Sequence, residues 1–157
     1  MRHREIRVQT LVLVAAAAGI VSFVVFVLLT RDGSLAPRPP TLAGVLLLVM
    51  GGLVLWLARP VRRYLQGRAT TPLDPVRAAR TVVLAQAAAL TGSAAAGWYA
   101  GQLAVVAGDL SLVANRSRIV PLLLLVLAGV ALAAAGLLAQ RWCRVEPRDE
   151  DEDERVP

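Results

Sequence analysis

The sequence contains no lysine, one histidine and one cysteine, and aromatic residues make up only 4% of its 157 residues. The lone cysteine, Cys143, excludes an internal disulfide, and neither His3, Cys143 nor any pair of carboxylates has the spacing of metal ligands. No glycine-rich phosphate loop follows a strand pattern. Placed acids, bases, nucleophiles and metal ligands are therefore nearly absent, which predicts a protein that is not an enzyme and that uses no metal and no cofactor.

Apolar sequence dominates the chain instead. It is 57% hydrophobic, and most of that lies in four uncharged stretches at residues 10–30, 42–58, 81–106 and 119–139. An α-helix needs about 20 apolar residues to cross a bilayer, and a buried helix of a soluble protein would show a polar stripe that these stretches lack. The first stretch is too long for a typical signal peptide and no small-residue cleavage site follows it. We predict an all-α, four-transmembrane-helix antiparallel bundle.

The same pattern predicts the organisation of the chain. Residues 1–145 form one membrane domain, with helices at about 10–30, 42–58, 75–106 and 119–142. The loop RDGSLAPRPPT is short and stiff, so helices 1 and 2 are expected to be antiparallel neighbours, and Pro121 is expected just inside the start of helix 4. Residues 146–157 hold seven acids and are predicted to be a disordered acidic tail.

The arginines predict the orientation. Thirteen of the 17 lie before helix 1, between helices 2 and 3, or after helix 4, and four lie in the other two loops. Because basic loops stay in the cytoplasm, both termini are predicted to be cytoplasmic. The protein is accordingly placed in the cytoplasmic (inner) membrane as a multi-pass protein.

Part of this basic face is a candidate contact for an anion or an anionic lipid headgroup. The candidate residues are Arg59, Arg62, Arg63, Arg77 and Arg80. Asp74 can cap helix 3 and Pro75 can start it, so Arg77 and Arg80 share a face near a positive helix end that a lipid phosphate or the acidic tail would stabilise. Simple anchoring at the cytoplasmic surface explains the same pattern. The predicted partners are anionic lipid and a second copy or another membrane protein, and not nucleic acid.

Helix 3 carries the clearest signal for helix packing. Small residues recur on it every four positions, with one polar residue on the same face; the set is Gln86, Ala89, Ser93, Gly97 and Gly101. Small residues let helix backbones approach closely in lipid. We expect helix 3 at the centre of the bundle, with this ridge packed either within the chain or against a second copy. Further small residues are available at Gly129, Ala133 and Gly136 of helix 4 and at Gly44, Gly51 and Gly52 of helix 2.

The segments RPVRRYLQG, LDPVRAARTVVLAQAAALTGSAAAGWYAGQ and RWCRV, in this order and spacing, resemble a family of small actinobacterial integral membrane proteins of unknown function. The resemblance runs from the first helix to Val145. It implies four transmembrane helices, a cytoplasmic-membrane location and genes often near those of folate biosynthesis, and it implies no catalytic residue. Many members have Lys where this chain has Gln86 and Glu where it has Gln140, so we hypothesise that these two side chains face each other and form an amide–amide hydrogen bond here.

The function predicted from the sequence is that of a non-enzymatic accessory or scaffold protein with a basic cytoplasmic face. The alternative is a small oligomeric transporter or permeability factor for a metabolite. Coupled transporters usually hold an ionisable residue inside the bilayer, and the four apolar stretches contain none. A continuous polar cavity along Gln86, Ser93 and Gln102 would favour transport, although Gln102 falls nearly opposite Gln86 on the helix.

Overall fold

The computed structural model describes residues 8–31, 40–65, 75–108 and 113–142. These residues form four α-helices and no strand: α1 (Val8–Arg31), α2 (Thr41–Leu65), α3 (Pro75–Gly108) and α4 (Val113–Trp142). The all-α, four-helix architecture predicted from the sequence is confirmed. The acidic segment 146–157 lies outside the described residues, so its predicted disorder stays a prediction.

Pro121 is not at the start of a helix. The structure begins α4 at Val113, which places Pro121 two turns inside it, so the expected position in the first turn is wrong. Residues 112–120 contain no glycine or proline. The sequence before Pro121 is therefore compatible with a helix, and α4 can begin several residues before the proline. Pro121 lacks an N–H group to donate to the carbonyl four residues earlier, which α4 tolerates as one missing hydrogen bond.

α3 is the central helix of the described bundle. It packs along both α1 and α4 and also touches α2, whereas α2 packs mainly on α4. Across the bundle the order is therefore α1, α3, α4, α2. The expectation that helix 3 lies at the centre is confirmed by these contacts.

The expectation that helices 1 and 2 are neighbours is wrong. Within the described residues α1 packs on α3 alone and makes no contact with α2. The connection at residues 32–40 can extend to about 30 Å, which is roughly three helix diameters. A short loop thus did not force adjacency, and α1 packs where its small residues meet those of α3.

α1 contacts only the C-terminal half of α3. Ala15 lies against Gly97 and Gly19 against Gly101, so the two helices run in the same direction. At a rise of 1.5 Å per residue, Val8 lies about 10 Å before this contact, whereas Thr81 lies about 24 Å before it. α1 is displaced along α3 by the difference, so that, within the described residues, it does not cover the first half of α3.

The surface of the bundle exposes many large apolar side chains, which is unfavourable in water. Large side chains such as Leu13, Leu42, Val83 and Leu124 are more than half exposed. Soluble monomers rarely expose contiguous apolar surface on this scale, whereas lipid tails are as apolar as leucine. Three helices are long and apolar enough to cross a membrane, namely Val8–Arg31, Leu42–Arg59 and Ser117–Trp142, with mean hydropathies of 2.9, 2.1 and 2.7.

α3 is less apolar than those three helices. Gln86, Thr91, Ser93 and Gln102 lower its hydropathy, and so do its four glycines. Ser93 and Gln102 are nevertheless buried. A central helix faces other helices more than lipid, and small and polar residues are the ones found at such contacts. That α3 also crosses the membrane stays a prediction.

Candidate functional site: the helix seams, the basic end and the groove

The seam between α3 and α4 is built on glycine backbones. A Cβ atom added to Gly92 would lie closer than 3.0 Å to the backbone nitrogen of Ala133 and 2.7 Å from the carbonyl oxygen of Gly129. One added to Gly136 would lie 2.6 Å from the carbonyl oxygen of Ala85. These neighbours are backbone atoms, which no side-chain rotation can move aside. The seam therefore requires glycine at these positions.

The seam between α1 and α3 combines the same close approach with one polar contact. A Cβ atom on Gly97 would collide with the carbonyl of Ala15. Next to it the hydroxyl of Ser22, which is fully buried, donates a hydrogen bond of 2.7 Å to the carbonyl oxygen of Trp98. The rings of Phe26 and Trp98 pack edge to face with centroids 6.4 Å apart. These contacts fix the register of α1 on α3.

The predicted ridge of small residues on α3 contacts two different helices rather than one. Ala89 lies against Gly136 of α4, whereas Gly97 and Gly101 lie against α1. Ser93 is buried, but its hydroxyl donates to the carbonyl of Leu90 in its own helix, at 2.9 Å. Residues four apart advance about 40° around a helix, so three steps turn the ridge by about 120° from one partner toward the other.

Sequence reasoning missed three small residues that make these seams. Gly92 lies at the closest point of α3 and α4, and Ala15 and Gly19 form the α1 side of the other seam. The spacing of Ala15 and Gly19 matches that of Gly97 and Gly101, and this matching small-residue pair is the signal that could have identified the contact. Gly52 was a candidate for packing, but nothing lies within 4 Å of a Cβ atom built on it.

The hypothesised hydrogen bond between Gln86 and Gln140 is wrong. The amide nitrogen of Gln140 is buried and has no hydrogen-bond partner, while Gln86 is half-buried. α3 meets α4 through Ala85 and Ala89, and Gln86 points about 100° away from Ala85 around the helix. The side chain of Gln86 therefore does not share the direction of Ala85 toward α4, and the amide nitrogen of Gln140 on α4 is left without a partner.

The unpaired amide leads to a stability prediction. We expect Gln140→Leu to raise the free energy of unfolding by about 1 kcal/mol, because it removes a buried donor without a partner and keeps a side chain of similar size. The measurement is unfolding by SDS in mixed micelles, followed by circular dichroism. Gln86→Leu is the matched control and should change the midpoint little. A lower midpoint for Gln140→Leu than for the unchanged chain would contradict the prediction.

Three exposed arginines lie at the same end of the bundle. A buried cluster joins α2, α3 and α4 through Val54, Ala58, Ala85, Ala88, Leu132 and Ala139, with Val82 and Trp142 packed against it. Arg59 follows Ala58, Arg80 precedes Val82 by two residues, and Arg141 follows Ala139 by two. All three arginines are exposed. We call this end, where α2 and α4 stop and α3 begins, the basic end.

The other predicted anion contacts lie toward the same end. Arg62 and Arg63 belong to the last turns of α2, and Arg77 belongs to the first turn of α3; their side chains lie outside the described part of the structure. Arg141 is an addition that the sequence reasoning did not count as a contact. At the opposite end, called the far end below, the described helices carry Arg31 on α1 and Arg116 and Arg118 on α4.

All 11 acidic residues of the chain lie outside the described ranges, as do His3 and Cys143. The described helices therefore carry positive charge at both ends and no side chain that would neutralise it. Because no candidate acid, thiol or imidazole is described, the expectations of no metal, no cofactor and no catalysis stay predictions.

An apolar groove runs between α1, α3 and α4 in the half of the bundle nearer the far end. It has a volume of about 590 Å³, and every residue that lines it is Ala, Gly, Val, Ile or Phe. Its floor includes Ala100, Gly101 and Ala104 of α3, and its walls include Ala16 of α1 and Val130 of α4. We call it the alanine groove.

The fold and its surfaces indicate the class of an integral membrane helical bundle, since three span-length apolar helices pack around a central helix and expose apolar side chains. The chain belongs to the family described as protein of unknown function (DUF3180), whose family model matches residues 11–147. No curated protein and no solved structure matches the chain. The expected membership of a family of unknown function is confirmed, while the actinobacterial origin and the folate gene context stay expectations.

Proposed function

We propose that this is a non-enzymatic, multi-pass protein of the cytoplasmic membrane that acts as an accessory or scaffold protein. Its basic end lies at the cytoplasmic surface and binds anionic lipid headgroups or a protein partner. The observation that supports this proposal is that Arg59, Arg80 and Arg141, all exposed, lie at the same end of the bundle, within two residues of one buried cluster or of a side chain packed against it. Each basic residue near an anionic membrane surface contributes about 1 kcal/mol of attraction.

The helix dipoles indicate where at the basic end an anion would bind, which the number of arginines alone does not. The C-terminus of α4 carries partial negative charge and favours Arg141 in its last turn. The N-terminus of α3 carries partial positive charge and offers no such compensation to Arg77 in its first turn. An external anion would therefore be most stabilising beside the start of α3, where a lipid phosphate at the membrane surface can reach.

The packing of α3 supports the accessory role over the transporter alternative. Ser93 is 5% and Gln102 is 8% exposed, and neither of them nor Gln86 lines the alanine groove. The alanine groove therefore offers no polar path along these three side chains. The alanine groove has an apolar lining and offers a polar metabolite no hydrogen-bond partner.

The proposal predicts selectivity for anionic lipid. In vesicles of phosphatidylcholine and phosphatidylglycerol, spin-labelled phosphatidylglycerol should be immobilised by the protein more than spin-labelled phosphatidylcholine. The triple variant Arg59→Gln, Arg80→Gln, Arg141→Gln should lose most of that selectivity, and about 0.5 M salt should weaken it because exposed charges are screened. The measurement is electron paramagnetic resonance of the labelled lipids.

The control removes an arginine of the far end instead, Arg116→Gln, which lies on α4 away from the basic end. It should leave most of the selectivity in place. Unchanged selectivity in the basic-end variant, or an equal loss in the control, would sink the proposal. A second arm tests orientation: an impermeant maleimide should label Cys143 only in opened cells, and labelling in intact cells would place this end outside.

A further inference from the structure

The alanine groove is lined only by apolar residues, and its residues on α3 are all alanine or glycine. Its floor is made of small side chains, and the bulkier Ile20, Phe23 and Val130 stand at its walls. Ala16, Ala100 and Ala104 are all exposed in it. In the hydrocarbon layer a groove of this kind does not fill with water, because it offers no hydrogen-bond partners.

Charge lies beyond one end of the groove, on both of its flanking helices. Arg31 comes eight residues after Phe23 on α1, and Arg118 comes eight residues before Val126 on α4. Eight residues correspond to about 12 Å along a helix. Both arginines lie at the far end, Arg31 is exposed, and Arg118 is half-buried. No described carboxylate is available to either of them.

We propose that the alanine groove binds the acyl chain of one anionic phospholipid, whose phosphate lies between Arg31 and Arg118 at the far end. A dry slot leading to two guanidinium groups matches a molecule that is a hydrocarbon chain at one end and an anion at the other. Guanidinium groups bind phosphate with paired, charge-assisted hydrogen bonds.

A second copy of the chain fits the groove less well than a phospholipid. In a dimer with twofold symmetry the same surface comes from both subunits, so the two grooves would face each other. Arg31 and Arg118 of one copy would then approach the same arginines of the other without an intervening anion. A phospholipid instead supplies an anion to these two arginines, which have no carboxylate beside them among the described residues.

This site is distinct from the basic end and lies in the opposite leaflet. The inference rests on the proposed membrane location, but it does not rest on lipid binding by Arg59, Arg80 and Arg141. The variant that lacks those three arginines should therefore keep the groove lipid, and that result separates a failure at one end from a failure at the other.

The test counts the lipids that stay bound after mild detergent extraction from vesicles of phosphatidylglycerol and phosphatidylcholine, by native mass spectrometry. The unchanged full-length chain should retain one phosphatidylglycerol molecule. Ala100→Leu with Ala104→Leu fills the groove and should abolish retention. Arg31→Gln with Arg118→Gln should reduce the preference for phosphatidylglycerol by about fivefold per arginine.

The matched control is Ala87→Leu with Ala131→Leu, since both alanines are exposed outside the groove. It should retain lipid as the unchanged chain does, which shows that added leucine on the bundle surface is not itself the cause of the loss. Equal retention in the groove-filled variant would overturn the proposal. So would dimers that dissociate in that variant, because the groove would then be a contact between copies.

Discussion

Gly92→Ala is expected to destabilise the bundle by about 3 kcal/mol or more, at the upper end of what overpacking usually costs. The added methyl group would meet the backbone of Ala133 and Gly129, with all three of its nearest atoms at 3.0 Å or less. Alanine has the higher helix propensity and would by itself favour α3 by about 1 kcal/mol. The steric effect is larger, so the net change in the free energy of unfolding is a destabilisation. In the variant α3 and α4 must separate, or the protein must unfold.

Gly52→Ala is the matched control for this prediction. It makes the same change in an apolar helix, at a position where nothing lies within 4 Å of the new methyl group. Its stability should stay equal or rise by up to about 1 kcal/mol. The measurement is the midpoint of SDS unfolding in mixed micelles. If the two variants shift the midpoint by the same amount, the close approach of α3 and α4 at Gly92 is contradicted.

Gly97→Val should release α1 and leave the other three helices packed. The new side chain would collide with the backbone of Ala15 and would separate Ser22 and Phe26 from Trp98, losing the hydrogen bond and the ring contact between the two helices. Within the described residues α1 packs on α3 alone. Its loss therefore removes no contact from α2 or α4.

Cysteine crosslinking in a Cys143→Ser chain measures this release. The pair Ala16→Cys and Ala100→Cys, which spans the groove between α1 and α3, should crosslink in the parent and fail to do so with Gly97→Val. The pair Val82→Cys and Trp142→Cys reports on α3 and α4 at the basic end and should be unaffected. Gly108→Val, with nothing near its Cβ position, should leave both crosslinks intact. Retention of the first crosslink in Gly97→Val would contradict the seam.

Some features of the basic end could be predicted from the sequence, and others could not. The arginines that follow helix 2 and precede helix 3 could be predicted to share a side of the membrane, because a helix that crosses a bilayer must deliver its ends to opposite surfaces. Arg141 after helix 4 was predicted on the same side by the same rule. The packing of α2, α3 and α4 through Ala58, Ala85 and Ala139 could not be predicted. Alanine is common in α3 and α4, and no pattern marks Ala85 and Ala139 among the others.

The wrong prediction for Gln86 and Gln140 has a similar cause. Gln86 and Gln140 both lie toward the basic end of neighbouring helices, which made a hydrogen bond between them reasonable. The seam uses Ala85 and Ala89, and a shift of one residue turns a side chain by about 100°. A pairing inferred from depth in the membrane cannot specify direction around the helix.

Composition and the lengths of the apolar stretches determined that this chain is four helices and indicated a membrane protein, because a bilayer sets the length and polarity of what can cross it. Only the tertiary structure decided which small residues meet. Ala89 and Gly101 belong to one ridge in the sequence, yet they face α4 and α1, since a spacing of four residues drifts around a helix that turns every 3.6 residues. In lipid, helix association is stabilised by close approach of the backbones rather than by the hydrophobic effect. Which backbones approach closely depends on which helices pack against each other.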